Sequence, residues 1–187
     1  FVLLCFASGV PFNGMFLYVL SAPAFLGDIL QLAPTQFFWF FVLNVVGIIG
    51  GSWVSGRMAG RVAPKRQIRD GFLVMVLVSI VNIVANALLP AHAAWSMWPV
   101  MFYSFGWALM VPAVTLLVLD LHQDRRGMAS SLQSVVGSAA NGIVAGVLAP
   151  MVMHSALGLA IAAAGLLCTG LFSWMWLHKR WPDVGRS

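Results

Sequence analysis

The chain has 187 residues, of which 61% are apolar and only 8% charged, and its mean hydropathy is +0.94. A soluble domain carries about a quarter charged residues and is less than half apolar, so composition excludes a water-solvated globule and makes lipid the main solvent. The net charge of +5 would suit nucleic acid, but its distribution, described next, assigns it to membrane topology instead.

No charged residue occurs in 1–27, 29–56, 71–119 or 127–178. About 20 apolar residues cross the roughly 30 Å of hydrocarbon in a bilayer, so the first two stretches hold one helix each and the two long ones a hairpin each. The first helix, near 2–26, carries Pro11 and Pro23 with Asn13, Tyr18 and Ser21. It has no cationic leader and runs on into a second span, so it reads as a span and not as a cleaved signal peptide. Sequence upstream of Phe1 is expected. The second helix, near 36–56, is rich in small residues and holds Asn44 and Ser52. A loop with Arg57, Arg61, Lys65, Arg66 and Arg69 leads to the third helix, near 71–89, with Asn82 and Asn86. Leu89-Pro90-Ala91-His92 marks a turn. The fourth helix, near 95–119, carries Pro99 and Pro112 with Tyr103, Ser104, Trp107 and Thr115. Arg125 and Arg126 precede the fifth, near 128–150, where Ser130, Ser134, Gly137 and Asn141 recur on one face beside Gln133. A second turn at 150–155 leads to the sixth, near 156–177, followed by Lys179, Arg180 and Arg186.

All ten cationic residues thus fall in the loops of one membrane face, while the opposite loops hold only Asp28. Short loops rich in Lys and Arg stay in the cytoplasm. The expected topology has six spans and both termini cytoplasmic, in a plasma or inner membrane.

The fold class expected is an all-α membrane bundle of two three-helix repeats of opposite topology. Helices one and four share paired prolines, and a shift of 90 residues superposes Gly47 on Gly137, Ser52 on Gly142 and Gly56 on Gly146. Paired Pro- and Gly-interrupted helices in inverted repeats point to a transport site. For the small polar residues, interhelical packing and a wet cavity are both open. The candidates for substrate contact are Asn13, Tyr18, Asn44, Tyr103, Trp107, Gln133 and Asn141. Helices one and four are expected to line a cavity, two and five to flank it, and three and six to face lipid. Each carboxylate lies at a helix end, in a loop or in the tail, so no mid-membrane proton relay of the usual acidic kind is evident. The four His residues lie at helix ends or loops, which leaves no metal site, cofactor site or catalytic pair to support an enzyme.

A specific resemblance lies in three stretches. Tyr18 to Leu26 (YVLSAPAFL) resembles the seventh helix of the Bcr/CflA drug-resistance transporters of the major facilitator superfamily. Leu43-Asn44-Val45-Val46-Gly47, with Gly51-Ser52 and Gly56-Arg57, is similar to their eighth helix. Asp124-Arg125-Arg126-Gly127-Met128-Ala129-Ser130-Ser131-Leu132 resembles the start of their eleventh. The resemblance implies the C-terminal half of a twelve-helix, proton-coupled exporter of drugs or other small amphipathic molecules, working against a second six-helix bundle whose carboxylates bind the proton. It also implies that Arg57 and Arg61 belong to a degenerate copy of a cytoplasmic gating loop, in which Gly56 stands where the pattern has Asp. A self-contained six-helix homodimer, transporter or channel, is the alternative, and an intramembrane enzyme a remote one.

Overall fold

A computed structural model describes residues 2–120 and 125–180. Asp124 and His122 of the fourth loop, and Asp183 and Arg186 of the tail, lie outside the described residues. Among the described residues there are six helices long and apolar enough to span a membrane: α1 Val2–Leu20, α2 Pro34–Met58, α3 Pro64–Leu88, α4 Ala93–Asp120, α5 Arg126–Val152 and α6 Ala156–Arg180.

The helices differ from the expected spans mainly at the charged end. α3 starts at Pro64, not near 71, so Lys65, Arg66, Gln67 and Arg69 belong to its first two turns rather than to a loop. Proline at the first helical position lacks only an N–H that would have no partner there, and its fixed φ suits the helix. Charge marks where a helix leaves hydrocarbon, not where it ends. α1 continues past Leu20 as a π-helical segment, Pro23–Ile29, and α5 contains a second one, Val144–Leu148. Each adjoins a proline, Pro23 or Pro150, whose missing N–H and ring disturb the regular ladder. The α1 segment closes at Gln31, which takes a left-handed φ of 55° and donates from Nε2 to the Asp28 carbonyl at 2.6 Å.

The exposure pattern is that of a protein dissolved in lipid. Asn13, Asn44, Gln67, Asn82 and Ser104 are buried, whereas Val45, Val46, Ile49, Leu77, Val81 and Phe172 are exposed. Hydrocarbon offers polar groups no partner, so they turn inward and pair with other helices. Since lipid is as apolar as Leu, close packing must supply the adhesion that the hydrophobic effect supplies in water. Small residues set that packing. A methyl group at Gly47 or Gly51 would collide with the carbonyl of Met101 or Phe105, so α2 lies against the backbone of α4. Gly9 and Gly137 bring α1 and α5 together in the same way, 3.3 Å separating the position of a Gly9 Cβ from the Gly137 Cα.

The contacts obey the exchange expected of a repeat. α1 packs on α4, α5 and α6, while α4 packs on α1, α2 and α3 and more lightly on α5, and α3 meets α6. Swapping helices 1, 2 and 3 for 4, 5 and 6 preserves these contacts except α4–α5, whose counterpart α1–α2 is weaker. The two central helices follow from it: 61% of the α1 span and 56% of the α4 span is buried, against 22% for α2 and 11% for α5.

Candidate substrate-binding groove

α1, α4 and α5 border an open groove of about 340 Å³, with the Gly9–Gly137 contact in its lining. α1 contributes Ser8, Gly9 and Phe12, α4 contributes Trp107, Val111 and Thr115, and α5 contributes Gln133, Ser134, Gly137 and Asn141. One wall is aromatic. The Trp107 ring packs on Phe12 with centroids 4.9 Å apart, Phe12 stacks on Phe16 at 5.7 Å, and Trp107 Nε1 donates to the Ser8 carbonyl at 3.2 Å. The other wall is polar. Gln133 Nε2 donates to Ser8 Oγ at 3.1 Å and to Thr115 Oγ1 at 3.4 Å, joining α5 to both central helices.

Two acceptors in this region have no partner. The side-chain oxygens of Asn13 and Asn141 are buried and accept no hydrogen bond. Asn13 Nδ2 is engaged by its own helix at the Gly9 carbonyl, 3.0 Å away. Each Asn follows by one turn the glycine at which α1 meets α5, Gly9 for Asn13 and Gly137 for Asn141. Buried polar atoms are nearly always paired, so an unpaired carbonyl oxygen marks a place for a water or for an N–H or O–H of a solute. The groove lining carries no ionisable side chain. It is suited to stacking and neutral hydrogen bonding, not to proton transfer.

Of the seven expected contact residues, Trp107, Gln133 and Asn141 line this groove, and Asn13 is buried near it. Tyr18, Tyr103 and Asn44 lie elsewhere, which departs from the expectation that the tyrosines form its wall. Tyr18 is 3% exposed, with its hydroxyl bonded to Asn82 of α3 at 2.8 Å and its ring edge-on to Phe25. Tyr103 lies over Gly14, where a methyl would strike its ring, and donates to the Pro11 carbonyl at 2.8 Å. Asn44 accepts from Ser104 between α2 and α4. The reason is common to all three: a polar group in lipid goes to the nearest helix that can pair it, and for Tyr103 the missing side chain of Gly14 leaves room for the ring. α3 and α6 are therefore not merely lipid-facing, since Asn82 of α3 is a buried partner. Tyr18 and Tyr103 share only a closed void of about 10 Å³, close to the smallest space that holds one water.

Ser8, Phe12 and Thr115 join the groove without having been candidates. Thr115 carried a signal in its place on the fourth helix, and Ser8 and Phe12 are one turn apart beside Gly9. Arg57 lies over the Trp53 ring at 4.2 Å. Arg61 borders a second cavity of about 380 Å³ under the α2–α3 turn, near Pro112 and Gln67. Gln67 ties this end together, donating to Ser55 Oγ at 2.6 Å and to the Leu109 carbonyl at 2.8 Å. Among the described residues no carboxylate lies within ion-pair distance of Arg57 or Arg61.

The family model of the Major Facilitator Superfamily matches residues 1–146, from α1 into α5. Comparison with curated proteins and with solved structures finds no match. With six membrane-length helices among the described residues and a family match over most of its length, the chain belongs to the Major Facilitator Superfamily and is a multi-pass membrane transporter of small-molecule solutes.

Proposed function

We propose that this bundle is one half of a proton-coupled exporter of small amphipathic molecules, similar to the Bcr/CflA transporters. It rocks against a second six-helix bundle and exposes the groove to each side of the membrane in turn, without chemical change to the solute. The groove between α1, α4 and α5 is the observation that carries this reading. Its aromatic wall of Phe12 and Trp107 suits a flat apolar body, and the unpartnered oxygen of Asn141 suits its polar hydrogens. The second bundle, an N-terminal half or another copy of the chain, covers the exposed faces of α2 and α5 and closes the groove. Support comes from α5, which is only 11% buried and leaves Gly142 and Gly146 open. The proton-binding carboxylates belong to that second bundle, because the groove lining has none. Both termini lie in the cytoplasm of a cell bounded by this inner or plasma membrane, as the one-sided cations favour.

The test is transport of a panel of aromatic amines, anions and neutral solutes in cells and in proteoliposomes with an imposed proton gradient. Trp107→Ala should lower apparent affinity for flat aromatic solutes. Asn141→Leu should weaken only those with donor groups, by about 0.5–1.5 kcal/mol per neutral hydrogen bond. Equal loss across the panel, in step with protein abundance, would remove the groove from the solute path. Transport indifferent to the proton gradient would remove the coupling.

A further inference from the structure

A different groove lies on the α3–α6 side of the molecule, at the end that carries the cations. It encloses about 920 Å³ between the first turns of α3 and the last turns of α6. Its upper rim is basic, with Lys65, Arg66 and Arg69 from α3 and His178 and Lys179 from α6. Its lower part is apolar, with Phe72 and Trp174 buried at the floor and Leu73 and Met175 exposed at the edges. The two parts are continuous along α3: from Arg66 to Val76 the helix climbs about 15 Å at 1.5 Å per residue. Below it the exposed Leu77, Ile80, Val81 and Val84 extend the same apolar wall into the membrane.

Two of the rim's cations have no acidic partner among the described residues. Arg69 pairs with Asp70 at 3.3 Å, but among the described residues Arg66 and Lys179 have no carboxylate within ion-pair distance. The helix ends do not decide the sign, because the N-terminus of α3 and the C-terminus of α6 meet here with opposite partial charges. The side chains decide it. Trp176, with Arg180 over its ring at 5.2 Å, stands beside the groove as an aromatic anchor of the kind found at headgroup depth.

We propose that this groove binds one anionic phospholipid from the leaflet at the basic end. Arg66 and Lys179 hold the phosphate, and an acyl chain lies along Phe72, Leu73, Val76 and Leu171. A soluble anion would leave the apolar part empty, and a zwitterionic lipid would bring an ammonium group into a basic rim. An anionic lipid satisfies both parts at once, and basic pockets between helices are a recognised form of such sites. By holding α3 to α6, the lipid bridges the two repeats on the side away from the substrate groove.

Native mass spectrometry of the detergent-purified protein, titrated with dioleoylphosphatidylglycerol or dioleoylphosphatidylcholine, tests this. The glycerol lipid should bind as a single tight adduct in preference to the choline lipid. R66Q/K179Q should lose about 30-fold in its apparent affinity, from about fivefold per cation near a surface. R57Q/R61Q removes the same charge from the same end but outside the groove, and should change it less than about threefold. Leu73→Trp fills the apolar part with charge unchanged and should also weaken binding. Four results would overturn the proposal: equal binding of the two lipids, equal losses in the two double variants, full binding by Leu73→Trp, or displacement of the lipid by glycerophosphoglycerol at equal concentration. Unchanged thermal unfolding of each variant in choline lipid shows that the loss is not a folding defect.

Discussion

The Tyr18 hydroxyl and Asn82 Nδ2 lie 2.8 Å apart, both side chains buried, and join the first helix to the third. Asn82 in turn accepts from Asn86 Nδ2 at 2.8 Å, so the pair is part of a short polar chain inside the bundle. It takes Tyr18 out of the groove and makes Asn82 its structural partner.

Tyr18→Phe and Asn82→Leu should each lower stability by about 1 kcal/mol, with a coupling of about 0.6 kcal/mol, the usual worth of an interhelical hydrogen bond in lipid. A double-mutant cycle on unfolding measures it. Substrate preference should be unchanged in all three variants. A solute-selective change at Tyr18 that Asn82→Leu does not reproduce would place the tyrosine back on the solute path.

Gln133 bridges α5 to α1 and α4 through Ser8 and Thr115. Gln133→Ala removes a donor from the half-buried Thr115 and from Ser8, whose hydroxyl already donates to the Cys5 carbonyl, so stability should fall by no more than about 1 kcal/mol. The substrate profile should change more, because the polar wall of the groove is lost. The prediction fails if unfolding is shifted strongly while relative rates across the solute panel stay fixed.

The glycines separate packing within the bundle from packing outside it. Gly47→Leu and Gly51→Leu drive a side chain into the α4 backbone and should abolish folded protein. A Cβ at Gly142 or Gly146 meets nothing within 4 Å, so Gly142→Leu and Gly146→Leu should give folded protein, but with impaired transport if the second bundle packs there. Ile143→Leu, of equal bulk to the residue it replaces, is the control for α5. Normal transport by both α5 glycine variants would argue that this face meets lipid.

Topology is checked by thiol labelling after replacement of Cys5 and Cys168, the second of which is exposed. Cysteines at Gln31, Ala91 and Ser155, all exposed, should react with an impermeant reagent applied to intact cells. One at Gly60, exposed in the α2–α3 turn, should react only after permeabilisation. Gln67 cannot serve as the inner reporter because it is buried. Labelling of the Gly60 position in intact cells would reverse the proposed orientation.

The sequence by itself determined the solvent, the number of spans and the grouping of the cations, because these depend on sums over long windows. A charge in hydrocarbon costs several kcal/mol, so its absence over about 20 residues is legible without any contact. The repeat was legible for a similar reason: prolines and glycines act on the backbone of their own helix. Trp107, Gln133 and Asn141 line the groove because a large aromatic on a central helix and the polar stripe of α5 face each other across it. Which place each took was decided only by tertiary structure. Tyr18 and Trp107 carry the same kind of signal, an apolar ring with one polar atom. One met Asn82 across a helix interface and the other met the Ser8 carbonyl at the edge of a groove. That difference depends on helix rotation and on where Gly9 lets α5 approach, and a single side chain's chemistry carries neither.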